Sequence, residues 1–174
     1  MKKLFLTAAM AVAGCMVANA QKTELQINYG GYTQMDAMDM HDNWNSVNNA
    51  WGAVTAGLNF KVAPKFWLGP SYTFSSTSTA GGSNASHIAY HVIMLNGRYE
   101  YYRSRNVKLY GHLGLGVDIS YMQPKFSDNY SKSYFAFQIS PLGAQIDLSK
   151  KFSLFGEVGF GAQGLAQAGF RFNL

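Results

Sequence analysis

ISPLGAQIDLSKKFSLFGEVGFGAQGLAQAGFRFNL, residues 139–174, decides the fold. It reads as a strand ending at Leu148, a tight turn at Ser149-Lys150-Lys151, a strand from Phe152 to Phe160, a Gly-rich reversal and a last strand ending on Leu174. That is two hairpins in succession. In the last strand Ala166, Ala168, Phe170, Phe172 and Leu174 share one face and Gln167, Gly169, Arg171 and Asn173 the other, because strand side chains alternate with period two. One face is wholly apolar and the other polar. A soluble sandwich produces the same alternation, but an aromatic-rich strand that ends on an apolar residue, behind an export signal, points to a transmembrane β-barrel.

The export signal is read at the other end. Lys2 and Lys3 form a basic start, Leu4 to Val17 an apolar run, and Ala18-Asn19-Ala20 a small-residue cleavage pattern, so Met1 to Ala20 is expected to be a signal peptide and Gln21 the mature N-terminus. Val12-Ala13-Gly14-Cys15 also fits a lipoprotein processing site, in which Cys15 would become the lipidated first residue. Cleavage after Ala20 is the reading adopted, since the Ala-Asn-Ala pattern is complete and a barrel needs no lipid anchor. It removes the single cysteine and with it any thiol chemistry. Loss of Lys2 and Lys3 lowers the formal charge from +5 to +3. So mild an excess, without a basic stripe, excludes a nucleic-acid-binding class. Against 13% charged residues, 15% aromatic residues and 18 glycines suit aromatic girdles and closely packed strands.

The rest of the chain supplies five more strands and the start of the one that ends at Leu148. Thr23 to Thr33 sets Leu25, Ile27, Tyr29 and Gly31 against Glu24, Gln26 and Asn28. Trp51 to Val62 sets Val54, Ala56, Leu58, Phe60 and Val62 outward. Phe66 to Ser75 contains Pro70, which cannot donate a ladder bond and predicts a bulge. In His87 to Tyr102, Ile88, Tyr90, Val92 and Met94 share a parity with Asn96, Arg98 and Glu100, so either the register shifts or the upper lumen is apolar. Val107 to Tyr121 alternates cleanly. In Tyr134 to Leu148 the parity switches near Pro141, which a bulge at Ser140-Pro141 explains. Long connections at 34–49, 76–86 and 122–133 alternate with short ones at 63–65, 103–106 and 149–151, as outer loops alternate with periplasmic turns in bacterial barrels. The expected fold is all-β: an eight-stranded antiparallel up-and-down transmembrane barrel over residues 21–174. Its even strand number puts both termini in the periplasm.

Ile139-Ser-Pro-Leu-Gly, Phe152-Ser-Leu-Phe-Gly-Glu-Val-Gly-Phe-Gly and Ala168-Gly-Phe-Arg-Phe together resemble the closing hairpins of the small outer-membrane β-barrel domain family of Gram-negative bacteria. The resemblance implies the fold and an outer-membrane location, but no single activity. It also implies that Phe170, Phe172 and Leu174 serve as the signal read by the barrel-assembly machinery. Leu174 stands where such barrels usually end on Phe, a departure expected to make that signal less efficient.

Charge collects on the inward parity: Lys61, Arg98, Glu100, Lys108, His112, Asp118, Asp147, Glu157 and Arg171. The interior of an eight-stranded barrel is just filled by side chains, so opposite charges there are expected to pair and plug the lumen instead of opening a channel. Asp36, Asp39, His41 and Asp42, with Trp44, mark the first outer loop as an interaction surface. Its oxygen ligands are dense but fit no calcium-loop spacing, and a solvated loop is the expectation, with no metal and no cofactor. Ser83-Asn84-Ala85 resembles the Ser-Asn-Ala of the lipid A deacylase family. That family's base, a His two residues before the Ser, is Gly81 here, and His87 or His91 would have to stand in with different geometry. A non-enzymatic, monomeric barrel is therefore expected, contacting outer-membrane lipid, lipopolysaccharide or another cell's surface through its loops. The competing readings are a conduit or binder for small hydrophobic molecules, which needs a continuous apolar pocket above Arg98, and a lipid A-modifying enzyme.

Overall fold

The structure, a computed structural model, describes residues 22–38, 51–78, 87–124 and 128–174. They form eight strands: β1 Thr23–Gly31, β2 Ala53–Ala63, β3 Phe66–Ser78, β4 His87–Arg103, β5 Val107–Gln123, β6 Tyr130–Asp147, β7 Phe152–Gly161 and β8 Ala166–Asn173. Each pairs antiparallel with its neighbour in sequence, and β1 pairs with β8, so the barrel closes. The seam runs from Glu24 opposite Asn173 to Gly31 opposite Ala166.

Alternation decides which face looks where. Leu113, Leu115 and Val117 of β5 are 51, 50 and 47% exposed, whereas His112, Asp118 and Ser120 are buried. The sheet thus turns an apolar surface outward and a polar one inward, the reverse of a soluble barrel. Phe60 is an exception on the outward parity of β2: its side chain is buried.

The ambiguous strand is resolved in favour of an apolar upper lumen. The register of β4 against β5 runs unbroken from His87 to Glu100, and Ile88, Tyr90, Val92 and Met94 are buried on the same face as Asn96, Arg98 and Glu100. The expected bulge in β6 is present, since register shifts between Ile139 and Leu142, leaving Pro141 and Leu142 both exposed. Pro70 behaves differently from expectation. No register shift occurs there; the pairing of β2 with β3 keeps one register from Ala53 opposite Ser75 to Lys61 opposite Trp67. Gly69 provides the physical reason, because a Cβ at that position would lie 1.7 Å from the Leu58 carbonyl oxygen, so the two backbones approach too closely for any other residue.

The end that carries the long connections also differs from a plain ring of loops. Half of the segment expected as a loop from Met122 to Ser133 belongs to strands, with 124–129 between β5 and β6. Gln34–Met38 is a short helix, α1. Thr33 caps it: its backbone N–H donates to Asp36 Oδ2 at 2.7 Å, and Asp36 N–H returns a longer bond of 3.4 Å to Thr33 Oγ1. The wall is uneven as well. β6 stays paired with β5 up to Tyr130, whereas its pairing with β7 stops at Gln138 opposite Gly161, so Tyr130 to Phe137 have sheet on one side only.

Candidate functional site

Two layers fill the interior, and they differ in chemistry. In the lower layer β1, β4 and β3 bring together Glu24, Arg98, Glu100 and Trp67. Arg98 Nη2 lies 2.7 Å from Glu24 Oε2 and 3.7 Å from Glu100 Oε1, and the Trp67 indole N–H donates to Glu100 Oε1 at 2.7 Å. Arg103, the last residue of β4, reaches back to Glu100 and binds it through two of its nitrogens. A second centre surrounds Arg171. Its Nη1 donates to Gln145 Oε1 at 2.7 Å, its Nε to Gln26 Oε1 at 3.1 Å, and its Nη2 to Tyr110 Oη at 3.0 Å and Glu157 Oε1 at 3.2 Å. Tyr110 Oη in turn donates to Glu157 Oε1 at 2.8 Å.

His112 joins this centre to β4, with Nδ1 2.8 Å from Glu157 Oε2 and Nε2 3.0 Å from Asn96 Oδ1. The rings stack with the cations: Arg98 sits between Trp67 and Tyr110, and Arg171 lies 3.9 Å from the Phe155 centroid and 4.7 Å from that of Tyr110. Gly143 makes room for this, since a Cβ there would stand 2.3 Å from the Tyr110 ring. Three carboxylates and three guanidiniums balance in the network formed by Glu24, Glu100, Glu157, Arg98, Arg103 and Arg171. Buried charge is tolerable only in such a paired and hydrogen-bonded state.

Not every inward charge belongs to it. Lys108 and Asp147 pair at 2.8 Å in the partly exposed lower rim. Lys61 makes no salt bridge among the described residues. Asp118 lies in the upper layer, where Ser120 Oγ donates to its Oδ2 at 3.2 Å, remote from the lower network.

A polar bar divides the layers. The reversal between β7 and β8 turns inward, and Gln163 spans the lumen: its backbone N–H donates to Gln138 Oε1 at 2.9 Å and its amide to Ser71 Oγ at 3.2 Å. Gly161 and Gly164 permit the turn with φ of +146° and +112°, and a Cβ on Gly164 would come within 2.7 Å of the Gly31 carbonyl oxygen. Above the bar Met35, Ile88, Tyr90, Val92, Met94, Met122, Ala136 and Ala162 form a continuous apolar cluster. α1 delivers Met35 into it. Gln34 clamps the free edge of β6, donating to the Phe135 carbonyl at 2.9 Å and accepting from the Phe137 N–H at 3.2 Å. A cavity of about 260 Å³ remains between this helix and β4, β5 and β6.

Of the loop residues singled out from sequence, Asp36 is spent on capping α1, and Asp39, His41, Asp42 and Trp44 lie outside the described residues. Ser83 does too. His91 faces outward, where Tyr72 Oη is 2.6 Å from its Nδ1 and Phe74 and Tyr121 flank the ring. His87 opens β4 and is exposed. Among the described residues no group of three His, Cys, Asp or Glu is placed to hold a metal ion. Phe170 and Phe172 face outward and pack on Phe152 at 5.4 and 5.0 Å between centroids, and Leu174 is exposed beside them.

An apolar belt around a closed eight-stranded ring with a charge-paired interior suits a lipid-embedded protein, and the sequence agrees. The family model described as "Outer membrane protein beta-barrel domain" matches residues 5–167. The chain belongs to this family. As an outer-membrane β-barrel it shares its fold with the N-terminal β-barrel domain of Pseudomonas aeruginosa OprF, at 10% identity and TM-score 0.56 over 89% of this chain and 98% of that one. It is also similar to a de novo designed transmembrane β-barrel, at 14% identity and TM-score 0.53 over 89% and 97% of the two chains. Both likenesses concern the fold alone. No curated protein matches the chain in sequence.

Sequence reading missed several members of this barrel's interior. Glu24 was on the inward face of β1 beside Gln26 and could have been counted with the other charges by parity alone. Tyr110 and Trp67 shared that parity. Gln163 had no such signal, because a reversal carries no periodicity.

Proposed function

We propose that this outer-membrane barrel does not conduct, and that its role is structural and interactive, exercised at its outer end through the segments 34–49, 76–86 and 122–133 against lipopolysaccharide or an apposed cell surface. The paired charges carry the reading: Arg98 with Glu24, and Arg171 with Glu157 and His112, close the lumen between Gln163 and the lower rim. In this orientation both termini are periplasmic, residues 1–20 are removed as a signal peptide, and the barrel-assembly machinery engages Phe170, Phe172 and Leu174. No catalytic role is assigned, since His91 is taken by Tyr72 on the outer face. Planar-bilayer recording of the refolded protein tests the closed lumen. Electrical silence is expected, and stable unitary conductance would overturn the reading. Deleting 79–86 should then lower binding to lipopolysaccharide vesicles without altering heat-modifiable gel mobility.

A second reading has its own support. The apolar layer above Gln163 and the cavity beside it favour a binder of small hydrophobic molecules, held at the outer end and not passed through.

A further inference from the structure

An apolar groove of about 500 Å³ crosses the outward face of the sheet from β3 to β6. Two glycines at outward positions make its floor, Gly97 of β4 opposite Leu113 and Gly111 of β5 opposite Tyr99. Phe66 walls one side, its ring 3.2 Å from where a Cβ on Gly97 would stand. Ile139 and Pro141 wall the other, where the register of β6 shifts. Packing within the chain does not call for the second glycine. A Cβ on Gly111 would meet nothing nearer than 3.9 Å, whereas one on Gly69 or Gly143 would collide with its neighbours. The missing side chain leaves a trough in place of a contact. From Tyr99 to Leu95 the trough follows β4 for roughly 13 Å, a shape that suits an extended chain and not a ring.

One end of the groove is marked by charge. Lys65 precedes Phe66 in the β2–β3 turn, and its carbonyl accepts the Glu100 N–H at 2.8 Å, which ties that turn to the end of β4. A cleft of about 430 Å³ lies there, between Pro64 and Lys65 on one side and Tyr101, Tyr102 and Arg103 on the other. The acids nearby are already matched: Glu100 holds Arg98 and Arg103, and Asp147 holds Lys108. Lys65 and Arg105 are exposed and make no salt bridge among the described residues. Tyr99, Tyr101 and Tyr102 stand about half exposed around the same end. Tyrosines gather at the level of lipid headgroups, with the hydrocarbon beyond them. A cation at headgroup level above an apolar trough complements an anionic amphiphile with an extended tail. A second copy of this chain fits less well, because a twofold contact through the groove would set Lys65 and Arg105 of both copies at one depth, where like charges repel.

We infer that the groove over Gly97 and Gly111 retains one anionic phospholipid, with its phosphate at Lys65 and an acyl chain along the trough. This assignment rests on the membrane placement of the outward face, and not on what fills the lumen or what the long segments bind.

The test uses the full mature protein in a non-ionic detergent, mixed with phosphatidylglycerol or with phosphatidylcholine carrying the same palmitoyl and oleoyl chains. Native mass spectrometry counts the lipid that stays bound. One phosphatidylglycerol per chain is expected, held about 5-fold more tightly than phosphatidylcholine, as roughly one cation at an anionic headgroup implies. Lys65→Gln should bring the two lipids within about 2-fold of each other. Lys150→Gln removes the same charge from the β6–β7 turn, across the ring from Lys65, and should leave the preference unchanged. Gly111→Val fills the trough and should remove retention of both lipids while heat-modifiable gel mobility persists. Gly111→Ala, which should weaken both, serves if the valine variant does not fold. Equal retention of the two lipids by the unaltered protein would overturn the anionic assignment. Loss of the preference in Lys150→Gln as much as in Lys65→Gln would reduce it to a diffuse field and overturn the site. Lipid held at full strength in both Gly111 variants would overturn the groove. A dimer that forms without lipid and is broken by Gly111→Val would give the groove to a second copy and overturn the assignment as well.

Discussion

Arg171 is the residue on which most of the interior converges. Its guanidinium meets Glu157, Gln145, Gln26 and Tyr110 and rests against Phe155, side chains drawn from four strands, β7, β6, β1 and β5, with Arg171 itself on β8. Arg171→Ala would strand the Glu157 carboxylate with His112 and Tyr110 and open a void, so a loss of about 3–5 kcal/mol is expected, read as a fall in the denaturant midpoint of the heat-modifiable form in detergent. Arg171→Met retains volume but not charge and should cost a comparable amount unless Glu157→Gln accompanies it. Recovery of most of the loss in that double variant would show that unpaired charge, and not packing, dominates. The pair Lys108 and Asp147, partly exposed in the lower rim, makes the opposite case. Lys108→Ala should change the midpoint by less than about 1 kcal/mol, because an exposed ion pair is screened by water.

At the scale of elements, β5 tests the membrane face and the β7–β8 reversal tests the polar bar across the lumen. Leu113→Arg places a cation on the outward face of the longest clean alternation and is expected to cost about 2–4 kcal/mol in a bilayer if the residue lies near mid-depth. Folding into lipid vesicles, followed by gel mobility, reads this, and unchanged folding would argue that Leu113 does not face hydrocarbon. Gly164→Ala forces a side chain into a left-handed backbone close to β1 and should destabilise by about 1–3 kcal/mol. The contrast between these two elements also explains what could be read beforehand. Strand faces repeat every two residues, so β5, β8 and even the β6 bulge at Pro141 were legible as breaks or continuations of a pattern. The apolar upper lumen was visible as a conflict in β4 between Met94 and Asn96, but only the ladder with β5 decides between a slip and a change of depth. The inward turn of Gln163, the capped helix holding Met35 and the free edge of β6 depend on where neighbouring strands stop. Strand ends are set by contacts across the barrel, which one sequence does not display. Pro70 misled because a missing donor can be absorbed by a lapse in the ladder, with Gly69 allowing close approach, as well as by a bulge.

For the whole molecule, closure is the controlling fact. Deleting 166–174 removes β8 and would leave the edges of β1 and β7 unpaired in lipid, where each unsatisfied backbone group is costly. Such a variant is expected to give no heat-modifiable species at all, and not a weakened one. The seam that joins β1 to β8 also has a meaning in time. Gln26 on β1 and Arg171 on β8 bond across it, although they are 145 positions apart in the chain. The arginine cannot reach its acceptor on β1 until both ends have been delivered to the same place, so its hydrogen-bond set is completed only as the ring seals. Before that event its charge partner is Glu157 on the adjoining β7, while the backbone edges of β1 and β8 are still open. Open edges belong in water, so insertion and folding are coupled, and a half-finished ring is held back from the hydrocarbon by its own unpaired strands.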